Sequence, residues 1–364
     1  MQIKEVIKHL EALAPTAYAE DFDNVGLLVG NQNHTITGIL VTLDTLENIV
    51  DEAIEKNCNL IVSFHPIVFK GIKKFNGKNY VERVVMKAIK NDIAIYAIHT
   101  ALDNALLGVN DMICEQLKLT NRKILIPQTG TIKKLITYAP IAEAENLRNK
   151  LFEAGAGTIG NYNSCSFSTD GTGTFMATEQ ANPSIGEIGK IHHEKETQIQ
   201  VTFSKDKENN VLKALFDNHS YEEVAYEVIT LENKNQNIGM GMVGELPEAK
   251  DEKAFLKELK EIFKTGCVRH SALLNKPIKK VAVLGGSGSF AIKNAQRAGA
   301  DIFITADLKY HQFYEAEAKL IIADIGHYES EQYTKNLIVG YLRKKISNFA
   351  IILSDNNTNP IQYI

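Results

Sequence analysis

Two stretches of the chain alternate short, almost wholly apolar runs with helical patterns, and the stretch between them does not. In the first, residues 38–43, 59–63 and 93–98 read as strands, with helices expected over 46–56 and 80–91. On the second of these helices Val81, Val84, Val85 and Ala88 form the inner face. The same grammar returns at 280–284, 301–305 and 320–324 as strands, with helices at 289–298 and 330–346. Near-continuous apolar strands imply burial on both faces, the signature of largely parallel sheets covered by helices. The fold class is therefore α/β, built as two halves with largely parallel sheets.

From about Thr131 to Leu231 the texture changes to polar, Gly- and Thr-rich segments such as Thr169-Asp170-Gly171-Thr172-Gly173-Thr174. Strands at 133–138, 197–203 and 224–229 and helices at 141–154 and 211–218 suggest the split βαβ order of a ferredoxin-like α+β module. We read residues 131–235 as this insertion, and 1–130 with 236–364 as the body it interrupts. The polar run at 232–237 reads as the return linker. At 364 residues the chain exceeds one small core, which fits this division.

Composition excludes several classes. The formal net charge is −4, so no global basic field invites nucleic acid. Lys70, Lys73, Lys74 and Lys78 cluster locally, as a solvated loop or as a guide for an anionic substrate. Four scattered cysteines form no C-x-x-C pair, which argues against a disulfide framework and for a reducing cytoplasm. The first thirteen residues read as an amphipathic helix rather than a signal peptide, and no run approaches a membrane span.

Candidate metal ligands stand where apolar strands give out. His65 follows Leu60-Ile61-Val62, Asp103 comes after Ile93-Ala94-Ile95-Tyr96, and His327 follows Leu320-Ile321-Ile322-Ala323. In open α/β sheets the crevice beyond the carboxyl ends of the strands is where ligands bind. Pro66 restricts His65 to an extended backbone. Asp103 has an alternative reading as a helix cap before the turn at Gly108. His327 and Glu331, four apart, share one helix face. Imidazole with carboxylate suits zinc, iron, manganese or nickel.

Leu284-Gly285-Gly286-Ser287-Gly288-Ser289-Phe290-Ala291 leaves a strand and opens a helix. Gly286 and Gly288 serve a tight turn, phosphate capture by exposed amides, or a dinucleotide fingerprint with Asp307 downstream. His99, Asp307, Lys309 and His311 are candidates for contacts around the metal or with substrate. His192-His193-Glu194 reads as a solvated cluster in the insertion. The glycines near Cys165 read as tight turns.

Ala19-Glu20-Asp21-Phe22-Asp23-Asn24-Val25-Gly26-Leu27-Leu28-Val29-Gly30 resembles the opening signature of the NIF-three-like dinuclear-metal family, also catalogued as GTP cyclohydrolase type 2 homologues. His65-Pro66-Ile67-Val68-Phe69-Lys70-Gly71 is similar to its second motif, and His99-Thr100-Ala101-Leu102-Asp103 to its third. Thr305-Ala306-Asp307-Leu308-Lys309-Tyr310-His311 and Gly326-His327-Tyr328-Glu329-Ser330-Glu331 resemble its closing motifs. Gly160-Asn161-Tyr162-Asn163-Ser164-Cys165-Ser166-Phe167 and Tyr221-Glu222-Glu223-Val224-Ala225-Tyr226 resemble the insertion of its longer bacterial members.

The resemblance implies two α/β halves around a pair of divalent metals, a PII-like inserted domain and a hexameric toroid of identical chains. It implies His65, Asp103, His327 and Glu331 as ligands, with Glu331 bridging. The family usually carries two adjacent histidines before the proline, and here the first is Phe64, which cannot coordinate. One firm metal and a weaker second are therefore expected, with His99, Asp44, Asp307 and His311 as substitutes for the missing ring. Two functions follow as expectations. One is a metal-dependent hydrolase of a nucleotide-like or phosphorylated small molecule. The other is a non-catalytic metallochaperone or sensor.

Overall fold

The computed structural model describes residues 1–364, which divide into two compact units, Met1–Pro127 with Gln236–Ile364 and Gln128–Asn235. The first unit contains two sheets. One has the spatial order Gly26–Val29, Ala94–Ala97, Leu60–Ser63, Ile39–Thr42, Ile351–Leu353. Its last four strands are mutually parallel, and Gly26–Val29 closes the edge antiparallel to Ala94–Ala97. The other sheet runs Arg269–His270, Ile321–Asp324, Ile302–Ala306, Ile278–Ser287, Asn235–Lys250, Thr120–Gln128.

The periodicity explains the burial. Along Ile39–Thr42, successive residues point to opposite faces, and every position is buried. Leu40, Ile61 and Ile95 pack with Ile49, Val50, Val84, Val85 and Ala88 of the covering helices Glu47–Glu55 and Tyr80–Lys90. Val41, Val62 and Tyr96 point the other way into one large core, which also holds Val281, Ile302, Ile304 and Ile321 of the second sheet. The two sheets thus share a hydrophobic layer, and helices such as Ile3–Leu13 and Val109–Gln116 contribute to it.

Several expectations need correction. The second sheet is mixed rather than largely parallel. Only Ile278–Ser287, Ile302–Ala306 and Ile321–Asp324 pair in parallel, while Asn235–Lys250 and Arg269–His270 add antiparallel. The polar run that reads as a return linker gives way at Asn235 to a sixteen-residue strand. The long helix expected from Ser330 breaks in two, His327–Glu331 and Thr334–Lys345. Asp103 is the last residue of the short helix His99–Asp103, so it does not cap the following one.

The second unit holds a four-stranded sheet in the order Ser166–Met176, Ile191–Ser204, Ile132–Pro140, Tyr226–Leu231. All its pairings are antiparallel, and the order is that of a split βαβ unit. Its helices Ile141–Glu153 and Glu208–Asn218 bury Leu147, Leu151, Val211 and Leu215 against Leu135, Ile199 and Val201. The glycine-rich stretch after Cys165 is an eleven-residue strand, not a set of turns. Its outer residues face solvent, which is why composition there resembles a loop. His192, His193 and Glu194 also lie on a strand, with His192 half-buried against Phe175.

One buried carboxylate ties the C-terminal segment to the helix Glu47–Glu55 that covers the first sheet. Glu52 accepts hydrogen bonds from Ser354 Oγ at 2.5 Å, the Asp355 amide at 2.9 Å and Asn356 Nδ2 at 2.7 Å. Lys56 Nζ stands 2.7 Å away. Burial works against its ionisation, but these donors and the ammonium outweigh burial and bring the carboxyl from 4.5 to about 2. A depressed carboxyl contributes stability that is complete above the unfolded value and is lost as pH falls through the folded one. Glu52→Ala is expected to cost about 2 kcal/mol or more at neutral pH, since several donors lose a charged acceptor at once. Urea denaturation should show this difference shrinking as pH falls from 4.5 toward 2; a pH-independent difference would refute the assignment.

Candidate metal centre

Two of the sequence-predicted ligands, His65 and His327, and the supporting Asp44 and Asp307 lie just beyond the carboxyl end of a parallel strand, while Asp103 and Glu331 end the short helices that follow Ala94–Ala97 and Ile321–Asp324. His65 follows Leu60–Ser63, Asp44 follows Ile39–Thr42, and Asp307 follows Ile302–Ala306. His327 follows Ile321–Asp324. The placement of His65 is fixed locally. Its amide donates to Leu43 O at 2.9 Å, and Ser63 Oγ donates to its carbonyl at 2.8 Å. Gly326, at φ +93°, turns the chain into the helix that carries His327 and Glu331.

Three ligand atoms converge from the two sheets. His65 Nε2 lies 3.1 Å from Glu331 Oε2, His327 Nε2 lies 3.2 Å from the same oxygen, and the two nitrogens are 3.4 Å apart. Ligands at about 2.0–2.1 Å around a tetrahedral ion sit about 3.3 Å from one another. The triangle therefore has the dimensions of one face of a coordination shell. It is the cluster of possible metal-ligating side chains in the structure.

The outer nitrogens settle the tautomers. His65 Nδ1 is 2.8 Å from Asp44 Oδ1, and His327 Nδ1 is 2.7 Å from Asp307 Oδ2. A carboxylate at Nδ1 holds the proton there and leaves the Nε2 lone pair facing inward. Two lone pairs then meet a carboxylate oxygen that is buried and makes no hydrogen bond of its own. Such an arrangement demands positive charge between the three atoms. Without a metal, protons must supply it. Burial disfavours the charged rings, but the Glu331 and Asp44 carboxylates raise His65 to about 10. Burial likewise opposes charge on His327, yet Asp307 and Glu331 raise it to about 11.

Asp103 stands outside the triangle. Its Oδ1 is buried with no hydrogen-bond partner. Burial first, and then the charge of Glu331, hold its carboxyl well above the ordinary range. This second orphaned oxygen suits a ligand to a cation as well. The residues considered as substitutes for a ring at position 64 have other partners. Asp44 and Asp307 orient the two histidines, and Asp44 Oδ2 accepts from Thr358 Oγ1 at 2.6 Å. His99 Nδ1 is 2.8 Å from Asp23 Oδ1, and His311 is exposed beside Tyr310 and Tyr314. Lys309 is also exposed. Phe64 is fully buried, with its ring 4.9 Å from that of His65 and 5.6 Å from that of His99.

The glycines make room rather than cradle phosphate. A Cβ on Gly286, which sits at φ +65°, would lie 2.3 Å from Glu331 Oε1. One on Gly288 would lie 2.2 Å from Thr305 Oγ1. The Gly285 and Gly286 amides are already spent on Asn110 Oδ1 and Ser330 Oγ. Sequence reasoning gave no individual role to Asp23 and Thr358, which hold His99 and Asp44; Asp23 lies within the opening signature, and Thr358 carries no local signal that sets it apart. Asp307 takes a left-handed backbone at φ +58°, a conformation that costs a non-glycine residue energy and is often retained at functional sites.

The family model for Duf34/NIF3 (NGG1p interacting factor 3) matches residues 1–360. The chain is 38% identical over 367 residues to the GTP cyclohydrolase 1 type 2 homolog of Bacillus subtilis (strain 168), covering 99% of this chain and 98% of that one. Among solved structures, the Bacillus cereus protein related to NIF3 superposes with a TM-score of 0.84 at 35% identity, covering 100% of this chain and 99% of that one. Staphylococcus aureus protein SA1388 gives 0.78 at 29% identity, with the same coverage.

Two substitutions test the geometry. Asp307→Ala should weaken divalent-metal affinity about 10–100-fold, the usual effect of removing the partner of a ligating histidine. Gly286→Ala should displace Glu331, and the left-handed backbone alone costs about 1–3 kcal/mol. Metal titrations with thermal melts check both, and unaltered affinity in both variants would dismiss the arrangement described.

Proposed function

The chain belongs to the Duf34/NIF3 family, and on that premise we propose that it is a divalent-metal-dependent hydrolase of a nucleotide-like or phosphorylated small molecule. The carrying observation is the triangle of His65, His327 and Glu331 around a point that needs a cation. In this reading these three hold the metal and Asp103 is a further ligand. A divalent ion held by these side chains with one position left open would supply Lewis acidity for hydrolysis when bound. Asp44 and Asp307 keep both imidazoles in the metal-binding tautomer. The nucleotide-like substrate rests on the printed name of the curated relatives and on two exposed rings. Phe22 and Phe69 have centroids 6.4 Å apart, Phe69 stands beside His99, and a flat base can stack on such faces.

Phe64 favours a second reading, a metal-binding sensor or chaperone without turnover. Its ring supplies an apolar wall where a second metal would want a ligand. The resemblance to PII-like modules in the insertion and assembly as a homohexameric toroid in the cytoplasm belong to either reading. No helix of the chain is long and apolar enough to cross a membrane.

Metal analysis of the purified protein is expected to give about one tightly held zinc, iron, manganese or nickel per chain, and less in Glu331→Gln. Phe64→His should raise the stoichiometry toward two. Hydrolysis of nucleotides or phosphoesters that vanishes in Glu331→Gln supports the enzyme. Stoichiometric metal with no turnover across a broad panel decides for the sensor. Apparent affinity should fall as pH is lowered, because protons compete for the inward nitrogens.

A further inference from the structure

The second unit contains a cavity of about 420 Å³ on the sheet face opposite its two helices. Its wall includes Tyr138, Phe175, Ile185 and Tyr221, and one side is closed by Glu196. The size falls within the range of about 300–1,000 Å³ typical of small-molecule sites. Glu196 is only 9% exposed. Its Oε1 accepts a hydrogen bond from the Tyr221 hydroxyl at 2.8 Å. The carboxylate also depends on the absence of a side chain across the sheet, since a Cβ on Gly173 would stand 2.0 Å from Oε2.

The surrounding charge has one sign. Glu222 and Glu223 line the same cavity, and no lysine or arginine forms an ion pair with either or with Glu196. With Oε1 held by Tyr221, the negative charge left at the cavity wall is best answered by a cation. A hydrated metal ion is a poor fit, because only Glu196 of the three carboxylates is buried and the rest of the wall is largely aromatic and aliphatic rather than a shell of oxygens. Aromatic faces beside a carboxylate instead suit an organic ammonium, which gains from ring quadrupoles and from the charge together.

We propose that this cavity binds a small organic monoammonium compound with an apolar body of about one ring. The ammonium meets Glu196 Oε2, and the apolar body lies against Phe175, Tyr221 and Ile185. The site lies entirely within the second unit and does not rest on the metal-centre reading.

Calorimetric titration of the full-length protein with phenethylammonium tests this, with 2-phenylethanol and 3-phenylpropionate as neutral and anionic counterparts. Saturable binding of the ammonium, at least about tenfold tighter than of either counterpart, is expected. Glu196→Gln keeps an acceptor for Tyr221 and should lose about tenfold or more of that affinity with an unchanged melting temperature. If that variant fails to fold, the comparison of the three probes on the unaltered protein still decides. Equal affinity for the alcohol, or no saturable binding of phenethylammonium, overturns the proposal.

Discussion

A buried carboxylate oxygen facing two imidazole lone pairs is the interaction around which the first unit is organised. Glu331 is 4% exposed, and no amide or hydroxyl of the protein donates a hydrogen bond to its Oε2. Left alone, that arrangement raises the energy of the folded state. A cation or two protons turn it into attraction. Several otherwise unrelated features become intelligible on this basis. Gly286 lacks a side chain because Oε1 occupies the space. Asp307 holds a left-handed backbone, and from there its carboxylate reaches His327. Thr358, near the end of the chain, braces Asp44, which in turn braces His65.

The architecture makes the convergence feasible. Parallel strands place their carboxyl ends together, so loops leaving neighbouring strands crowd one edge of a sheet. Two such sheets share one hydrophobic layer, and His65 from one edge meets His327 and Glu331 from the other. The antiparallel strands at the margins serve a different need, covering sheet edges that would otherwise present unpaired backbone groups. Ile351–Leu353 returns the C-terminal segment to the first sheet, so residues from both ends of the sequence surround the centre. Glu52 and its donors secure that return.

Polar patterning in the second unit arises from half-exposed strands rather than from loops. Ser166–Met176 pairs along its full length with Ile191–Ser204, yet most of its side chains face solvent. The ladder's hydrogen bonds come from backbone, which is indifferent to side-chain polarity. Composition therefore misleads there. Glu196 shows the complementary case, a charged residue withdrawn from water on a face whose sequence reads as uniformly polar.

The strand–helix alternation of the body could be read from the sequence alone, because a strand buried on both faces must be apolar throughout and a covering helix must be amphipathic. Spacing likewise put His327 and Glu331 on one helical face, and Pro66 fixed the backbone of His65. The mixed pairing of the second sheet was hidden, since Asn235–Lys250 begins in a polar run and its direction depends on its neighbour. Which histidines share a point in space was equally hidden, because His65 and His327 are 262 residues apart. The supporting roles of Asp44, Asp307, Asp23 and Thr358, and the space Gly286 leaves for Glu331, arise only from packing. Local residue chemistry sets what each side chain can do. Long-range packing of two sheets sets which of them meet, because separations of about 3 Å between distant residues are fixed by the whole core and by no local pattern.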